Sequence, residues 1–483
     1  MGVSSGPMRN AALRALLGVS IAVASLAAMS PLPARAAVIP LNGELGAAPV
    51  WAAGRALALV RAGGGYSLES IDPAAGGEIR ERTTLSRRFD IAHLGVSGAL
   101  QVLQGANWEC AGGCKYQGPY LTDEELSVLS PGGGAECLFA ASGIKGCEAS
   151  NACLNIDEAL VSEGRLVYES CAREGEDFTV VGEGSTRVSV PQIAHPEALA
   201  GPWLVGLAPG WRGYGPKFEV THEPLRLIER NLLTGAEPLQ IDLGPRGPHV
   251  GQCGGCHYPA LATVQEDGTI VYLPDSEGHG ELWTASPGTP TPRPLGQTET
   301  DIKVPELSFP GPSLILKDGR LAERQTEGRI TLAGLDGSQS GTIKVGSLNG
   351  FDFDGSRVLA ASTPCGRSFL VTWAPGEAQP AVPAGTCPTA RVSRVQFTHR
   401  SIRVTLTCTP SSQLGCPLSY VTISPLSAES SFVTLLPGAG HTLSIPLNPR
   451  RRRWLARHRH RTLTVTSVSL ITTPQHSLRV RIP

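Results

Sequence analysis

An all-β fold, a ring of short antiparallel sheets followed by a smaller two-sheet module, follows from three observations. The first is a recurring unit in which one strand runs into an X-Gly turn and another runs out. It is most legible at 349–362, N-G-F-D-F-D-G-S-R-V-L-A-A-S. The second is composition: 57 glycines and 39 prolines with only 5% aromatics favour many short strands and turns over long helices. The third is a change of charge near residue 388. Residues 388–483 hold 13 arginines, no lysine and one acid, Glu429, for a net of +12, whereas 37–387 carry −16. A total of −1 therefore joins an acidic region to a basic one.

The recurring unit sets the architecture. Asp354-Gly355 supplies the positive φ that a two-residue hairpin needs, and Phe351, Phe353, Val358 and Leu359 suit half-buried strands. Similar turns stand at Ala53-Gly54, Ser97-Gly98, Glu163-Gly164, Asp267-Gly268 and Asp318-Gly319, with a looser copy from Gly201 to Leu207. Successive glycines of these turns are 36 to 67 residues apart, with a mean of about 50. That is the length of a four-stranded blade with some insertion. The expectation is a β-propeller of about seven blades over 37–387, six or eight also fitting the spacing. A sandwich array or β-helix is the competing reading, because X-Gly turns are common in any glycine-rich all-β chain. The units, F-D-F-D-G-S-R above all, resemble the WD40-like or TolB-like propeller repeats of secreted bacterial proteins. That resemblance implies a fold and carries no catalytic residue with it.

Taken in order, the chain opens with a targeting segment. Arg9 and Arg14 precede an apolar run over 16–29, and Ala34-Arg35-Ala36 matches a small-x-small cleavage site. Residues 1–36 are thus expected to be a signal peptide, a retained signal anchor being the alternative, and the mature protein to be secreted or associated with the cell envelope. The twelve cysteines agree with export, since oxidising compartments let disulfides persist. Neighbour pairing suggests Cys110–Cys114, Cys137–Cys147, Cys153–Cys171, Cys253–Cys256, Cys365–Cys387 and Cys408–Cys416. Residues 37–88 read as the first blade, whose leading strand near Ile39 could instead pair with the last blade and close the ring. Thr122-Asp123-Glu124-Glu125 reads as the start of a short helix with Thr122 as N-cap. Trp211 and Tyr214 suit either an aromatic ligand loop or blade packing, and the Thr- and Pro-rich stretch 286–294 reads as an outer hairpin loop.

Pro380, Pro383 and Pro388 mark an extended connector, after which 388–483 alternates as short strands, the pattern of a small β-sandwich. Leu406-Thr407-Cys408 and Gly415-Cys416 resemble landmarks of the Ig-like C-terminal modules of secreted bacterial proteins, a structural class that implies no activity.

Four stretches could carry chemistry. Cys253-Gly254-Gly255-Cys256-His257 has the C-x-x-C-H spacing of haem c attachment, with the thiols taking the vinyl groups and His257 as proximal ligand. All three methionines, Met1, Met8 and Met29, lie in the segment expected to be removed, so no Met remains for the sixth position. The surrounding glycines and prolines also suit a loop disulfide with an incidental His better than a haem-binding helix. No cofactor is therefore expected, haem c being the alternative. The stretch 276–283, S-E-G-H-G-E-L-W, approaches the Asp-box turn of sialidase-type propellers but has Gly278 where that motif has aspartate. Asp352 and Asp354 could ligate calcium in a turn, but the sequence lacks the remaining oxygen ligands, so hairpin geometry is the favoured role.

Finally, 450–461 is R-R-R-R-W-L-A-R-H-R-H-R. Arg450, Arg451, Arg452, Arg453, Arg457, Arg459 and Arg461 are candidate contacts to an anionic cell-wall polymer or membrane surface. Trp454 and Leu455 would point inward if the run forms one or two helical turns before the strand at Thr462. The alternatives are a solvated arginine edge or docking on the acidic propeller; no specific nucleic acid is predicted. These features suggest an exported binding or scaffold protein, rather than an enzyme, with an unknown ligand at the propeller face. An exported haem c protein or a propeller-type hydrolase is the rival.

Overall fold

The structure, a computed structural model, describes residues 36–483 apart from 63–64, 86–90, 98–99, 110–119, 130–134, 141–147, 150–159, 173–174, 182–186, 191, 194, 209–225, 244–260, 275–279, 299–311, 411–413 and 470–474. The described chain is nearly all strand.

Up to residue 373 the strands form seven antiparallel sheets of four or five strands, spanning 44–85, 91–149, 160–189, 195–242, 261–298, 314–344 and 348–373. Strands adjacent in sequence are neighbours, except that in the first sheet Glu44–Leu45 and Val50–Ala52 both pair with Arg55–Ala62; the pairing that ends the second sheet is short and parallel. Strand Val50–Ala52 of the first sheet touches Ile91–Ser97 of the second, from there the first strand of each sheet touches the first strand of the next, and Leu348–Phe353 of the seventh touches Val50–Ala52 again. The contacts thus close a cycle, the defining topology of a β-propeller. Closure uses the two ends of this region, as strand Ala37–Pro40 pairs antiparallel with Phe369–Trp373, Ala37 opposite Thr372 and Pro40 opposite Phe369. Cys365 is joined to Cys387, which ties the connector after this sheet back onto it.

The hydrophobic core lies between sheets. In the seventh sheet Val358, Ala360, Val371 and Trp373 pack toward the sixth, while Leu359, Ala361 and Leu370 pack toward the first. Side chains on a strand alternate between faces, so a strand covered on both sides must be apolar throughout, and Val358–Ser362 is buried along its whole length. The X-Gly turns join consecutive antiparallel strands near the start of their sheets. Ala53-Gly54 (φ 47° and 75°), Glu163-Gly164 (46° and 75°) and Asp318-Gly319 (50° and 69°) have two consecutive left-handed residues, the geometry that matches strand twist. At 354–357 the register differs from the expected tip. Phe353 pairs with Val358, the Asp354 N–H donates to the Arg357 carbonyl, and Gly355-Ser356 form the tip. The Asp354 carboxylate holds it by accepting from the N–H groups of Ser356 and Arg357.

Two further expectations are corrected. Thr122–Glu125 starts no helix, since it lies in strand Tyr120–Leu129, paired on both sides with Leu100–Glu109 and Ala135–Ala140. Pairing on both edges overrides a local capping signal worth about 1 kcal/mol. The Thr- and Pro-rich stretch is not a loop but the outer strand Thr289–Thr298, entered by a turn at Pro287-Gly288. An edge strand tolerates proline because one side of its backbone needs no donor.

Beyond the connector, strands Arg391–Phe397, Ser401–Thr407 and Gly440–Pro446 form one sheet. Cys416–Ser424, Thr462–Ser469 and His476–Arg481 form a second, with the short strands Ala428–Glu429 and Val433–Leu435 beside Cys416–Ser424. Ile402, Val404, Leu406, Leu443 and Ile445 of the first share a core with Val421, Ile423, Leu463 and Val465 of the second. Cys408 is joined to Cys416 at its margin.

Candidate functional site

The only α-helix among the described residues, α1 (Pro449–Arg457), connects the two sheets of the C-terminal module. Its start is dictated locally. The Asn448 side chain accepts from the Arg451 N–H at 2.8 Å, and Pro449 occupies the first helical position, where no N–H is needed. Trp454 and Leu455 pack on the module core. The helix ends at His458, whose ring stacks on Trp454 at 4.1 Å between centroids and whose Nδ1 lies 2.8 Å from the Trp454 carbonyl oxygen. The sequence expectation of a short helix with Trp454 and Leu455 turned inward is met.

The arginines then divide by role. Arg451 serves the fold, since its guanidinium donates to the carbonyls of Leu426 and Ser427. Arg453 donates from Nε to the Pro449 carbonyl within the helix. Arg450, Arg452, Arg453, Arg457, Arg459 and Arg461 are all exposed. Arg457, in the last turn, complements the helix dipole. Arg450, Arg451 and Arg452, in the first turn, oppose it, and Arg450/Arg453 and Arg453/Arg457 are like-charge pairs at adjacent helical positions. Helix stability does not explain this arrangement.

The last strand enlarges the surface. The His460 N–H donates to the Ile482 carbonyl, the Ile482 N–H to that of Arg461, and Arg481 Nε to the His460 carbonyl at 3.2 Å. Arg481 and its neighbour Arg479, both exposed, thus extend the positive surface from the end of the helix. Glu429, the module's one acid, is exposed on a two-residue strand. Among the described residues, no ion pair involves any arginine of 450–461.

The module is seated on the seventh sheet, where the turn Pro364–Gly366 touches strand Cys416–Ser424. A Cβ on Gly415 would stand 2.7 Å from the Cys365 carbonyl oxygen and 2.8 Å from that of Leu435, so only glycine fits at this seam.

On the propeller, Asp352 and Asp354 are hairpin and junction residues. Asp352 accepts from the Trp51 N–H at 2.6 Å across the ring closure and from the Phe353 N–H at 2.7 Å. Burial pushes its carboxyl up to about 6 against the pull of these hydrogen bonds. Among the described residues, no three His, Cys, Asp or Glu side chains are grouped to hold a metal ion.

Neighbouring turns are tied in the same manner. Ser97 Oγ accepts from the Gly164 N–H, Ser162 Oγ from the Gly201 N–H, and Gln265 Oε1 from the Gly319 N–H. Sequence reasoning missed these ties, which join residues 39 to 67 positions apart.

It also missed Glu229. This residue is 1% exposed, and among the described residues neither carboxyl oxygen has a hydrogen-bond partner. It shares the strand face of Leu227, opposite Val205, in the apolar layer between the fourth and fifth sheets, close to Trp203 and Gly268. Burial pushes its carboxyl from 4.5 up to about 8, and the neighbouring Asp267 carboxylate adds to the shift. Asp267 itself is held low, because donation from the Thr269 N–H and Gln265 outweighs its desolvation.

Of the other sequence candidates, Cys110, Cys114, Cys147, Cys153, Cys253, Cys256 and His257 lie outside the described residues, as do Trp211, Tyr214 and residues 1–35 of the signal segment. Cys137 and Cys171 stand on strands Ala135–Ala140 and Arg165–Ala172, their side chains also outside the described set. Trp283 is half-buried against the core between the fourth and fifth sheets.

No protein-family model and no curated protein matches the chain. Solved structures similar to it include BamB from Moraxella catarrhalis, 14% identical, TM-score 0.34, covering 70% of this chain and 98% of that one. The β-propeller domain of the Trilobed protease from Pyrococcus furiosus is 12% identical, TM-score 0.42, over 71% and 95% of the two chains. The acylaminoacyl peptidase of Pyrococcus horikoshii is 10% identical, TM-score 0.42, over 78% of this chain and 59% of its own.

Proposed function

We propose that this protein is an exported binding or scaffold protein, a β-propeller that offers a ligand face and is held at an anionic surface of the cell envelope by its arginine-rich C-terminal module. The observation that carries this reading is the set of exposed arginines on and after α1, which form no ion pair among the described residues and of which those in the first turn oppose the helix dipole. Positive charges that crowd the start of their own helix and meet no carboxylate among the described residues suit an external anion. The disulfides Cys365–Cys387 and Cys408–Cys416 support an oxidising, extracytoplasmic location, as the signal-like segment 1–36 does. The first of them also fastens the connector, so that a propeller attached through the module stays close to the surface.

Cell fractionation tests this. The full chain, expressed with its own N-terminus in a bacterium with two membranes, is expected in the envelope fraction and to be released by high salt. The triple variant Arg450→Gln/Arg453→Gln/Arg457→Gln is expected in the soluble exported fraction. Equal retention of both forms, or retention insensitive to salt, would refute attachment through these arginines.

A further inference from the structure

The geometry of the arginine surface points to a particular class of anion, an inference that rests on the envelope reading above. We propose that the stripe Arg450–Arg453–Arg457, continued by Arg459, Arg461 and Arg481, binds a linear acidic polysaccharide through paired hydrogen bonds from its guanidinium groups to sugar carboxylates.

Spacing comes first. At about 1.5 Å of rise and 100° of turn per residue, Arg450, Arg453 and Arg457 fall on one side of α1, roughly 4.5 and 6 Å apart along its axis. That side flanks the face on which Trp454 and Leu455 are packed, so the stripe stands clear of the core. The turn that follows α1 is bonded to the final strand through His460, Arg461 and Ile482, and Arg481 is fixed on the His460 carbonyl. The row of charges thus runs beyond the helix along a fixed backbone. A row of this kind suits a chain that bears one negative charge on each repeating unit.

Chemistry comes second. The module uses 13 arginines and no lysine. The guanidinium fork matches a planar carboxylate with two parallel hydrogen bonds, whereas an ammonium offers only a point charge.

Two other anionic partners suit the surface less well. Peripheral helices that enter a bilayer offer it an apolar face. Here that face is spent on the module core, and the rest of α1 is Pro449, Ala456 and five arginines. Single-stranded nucleic acid is gripped by stacking its bases on open aromatic rings. The Trp454 ring is already stacked on His458 and packed against the core.

The test measures binding of the full disulfide-bonded chain to polygalacturonate, to neutral dextran, to vesicles containing phosphatidylglycerol, and to a single-stranded oligonucleotide, at matched ionic strength. The expected result is tightest binding to polygalacturonate, none to dextran, and a loss of roughly tenfold or more in Arg450→Gln/Arg453→Gln/Arg457→Gln. The corresponding triple Lys variant keeps the charge and is expected to recover only part of that affinity. Arg394→Gln/Arg403→Gln, which removes two exposed arginines from the first sheet of the module, is expected to bind as the parent does. Unchanged melting of the Gln variants shows that they remain folded.

Stronger binding to vesicles or oligonucleotide than to polygalacturonate would overturn the proposal, as would full recovery by lysine or an equal loss in the Arg394/Arg403 variant. Envelope retention that depends on the stripe, without polygalacturonate binding, would remove the polysaccharide and leave the envelope reading standing. Loss of both would remove both.

Discussion

The propeller and the C-terminal module handle charge in opposite ways. In the propeller, several exposed and half-buried arginines meet acids: Arg61 with Glu44, Arg80 with Asp72 and Glu78, Arg82 with Glu69, Arg165 with Glu163, and Arg357 with both oxygens of Glu377. In the module, the exposed arginines of 450–461 meet none among the described residues. Both parts are built on the same period-two burial of apolar side chains, so the contrast owes nothing to strand architecture. An exposed ion pair contributes little stability, so pairing in the propeller mainly keeps its surface from attracting other charges. Positive charge left unpaired on the module keeps that attraction available.

The contrast can be tested from its strongest element downward. Phe351 is 1% exposed between the sixth and seventh sheets. Phe351→Ala is expected to cost the propeller about 3–5 kcal/mol in denaturant unfolding. Binding of the surviving folded fraction to anions should be unchanged. A loss of binding in that fraction would mean that the propeller contributes to the anionic contact.

Glu229 is the next largest effect, and it depends on pH. Its folded-state value near 8 lies above its ordinary 4.5, so the folded chain holds this proton more tightly than the unfolded chain does. The stability it contributes is complete below about pH 4.5 and is lost as pH rises toward and through 8, a total on the order of a few kcal/mol. Glu229→Gln, neutral at every pH, is expected to melt close to the parent at pH 5 and clearly above it near pH 9. Parallel melting curves for the two forms across this range would show that the carboxyl is not held neutral by burial.

Opening the disulfide that closes a 22-residue separation, by Cys365→Ser/Cys387→Ser, is expected to cost roughly 2–4 kcal/mol. The loss should appear as earlier protease cleavage in the connector 374–390. The smallest effect belongs to the arginine stripe. Replacing Arg450 and Arg453 with Gln relieves like-charge and dipole repulsion, so α1 should be unchanged or more stable by a few tenths of a kcal/mol. A large destabilisation would show that these arginines serve the fold.

What the sequence made legible followed physical locality. The turns at Ala53-Gly54, Glu163-Gly164 and Asp318-Gly319 could be read because positive φ is a single-residue demand that glycine announces. The disulfides Cys365–Cys387 and Cys408–Cys416 could be read because near neighbours in sequence proved near in space. The arginine run could be read because charge and the Trp454-Leu455 dipeptide sit in one short stretch.

What was missed depends on distant partners. Thr122–Glu125 has a helix-start pattern, and its strand pairing is decided by residues on either side of it in the sheet. The prolines of Thr289–Thr298 suggest a loop until the strand is seen to be an edge. Glu229, within R-L-I-E-R-N, looks like the polar side of a half-exposed strand; the fifth sheet, which buries it, lies further along the chain. Its parity with Leu227 was the one local hint, but Ile228 is apolar too, so neither face stands out as the core.

The measurement that bears most directly on the contrast is the salt dependence of anion binding by the full chain. It compares the parent, the Arg450→Gln/Arg453→Gln/Arg457→Gln variant, and Arg55→Gln/Arg80→Gln, which removes two arginines that pair with acids in the first sheet. Screening weakens binding in proportion to the number of exposed charges engaged. The account predicts a steep fall of affinity with salt in the parent, a much shallower one in the stripe variant, and no change when the paired arginines are removed. Equal slopes for all three proteins would contradict it.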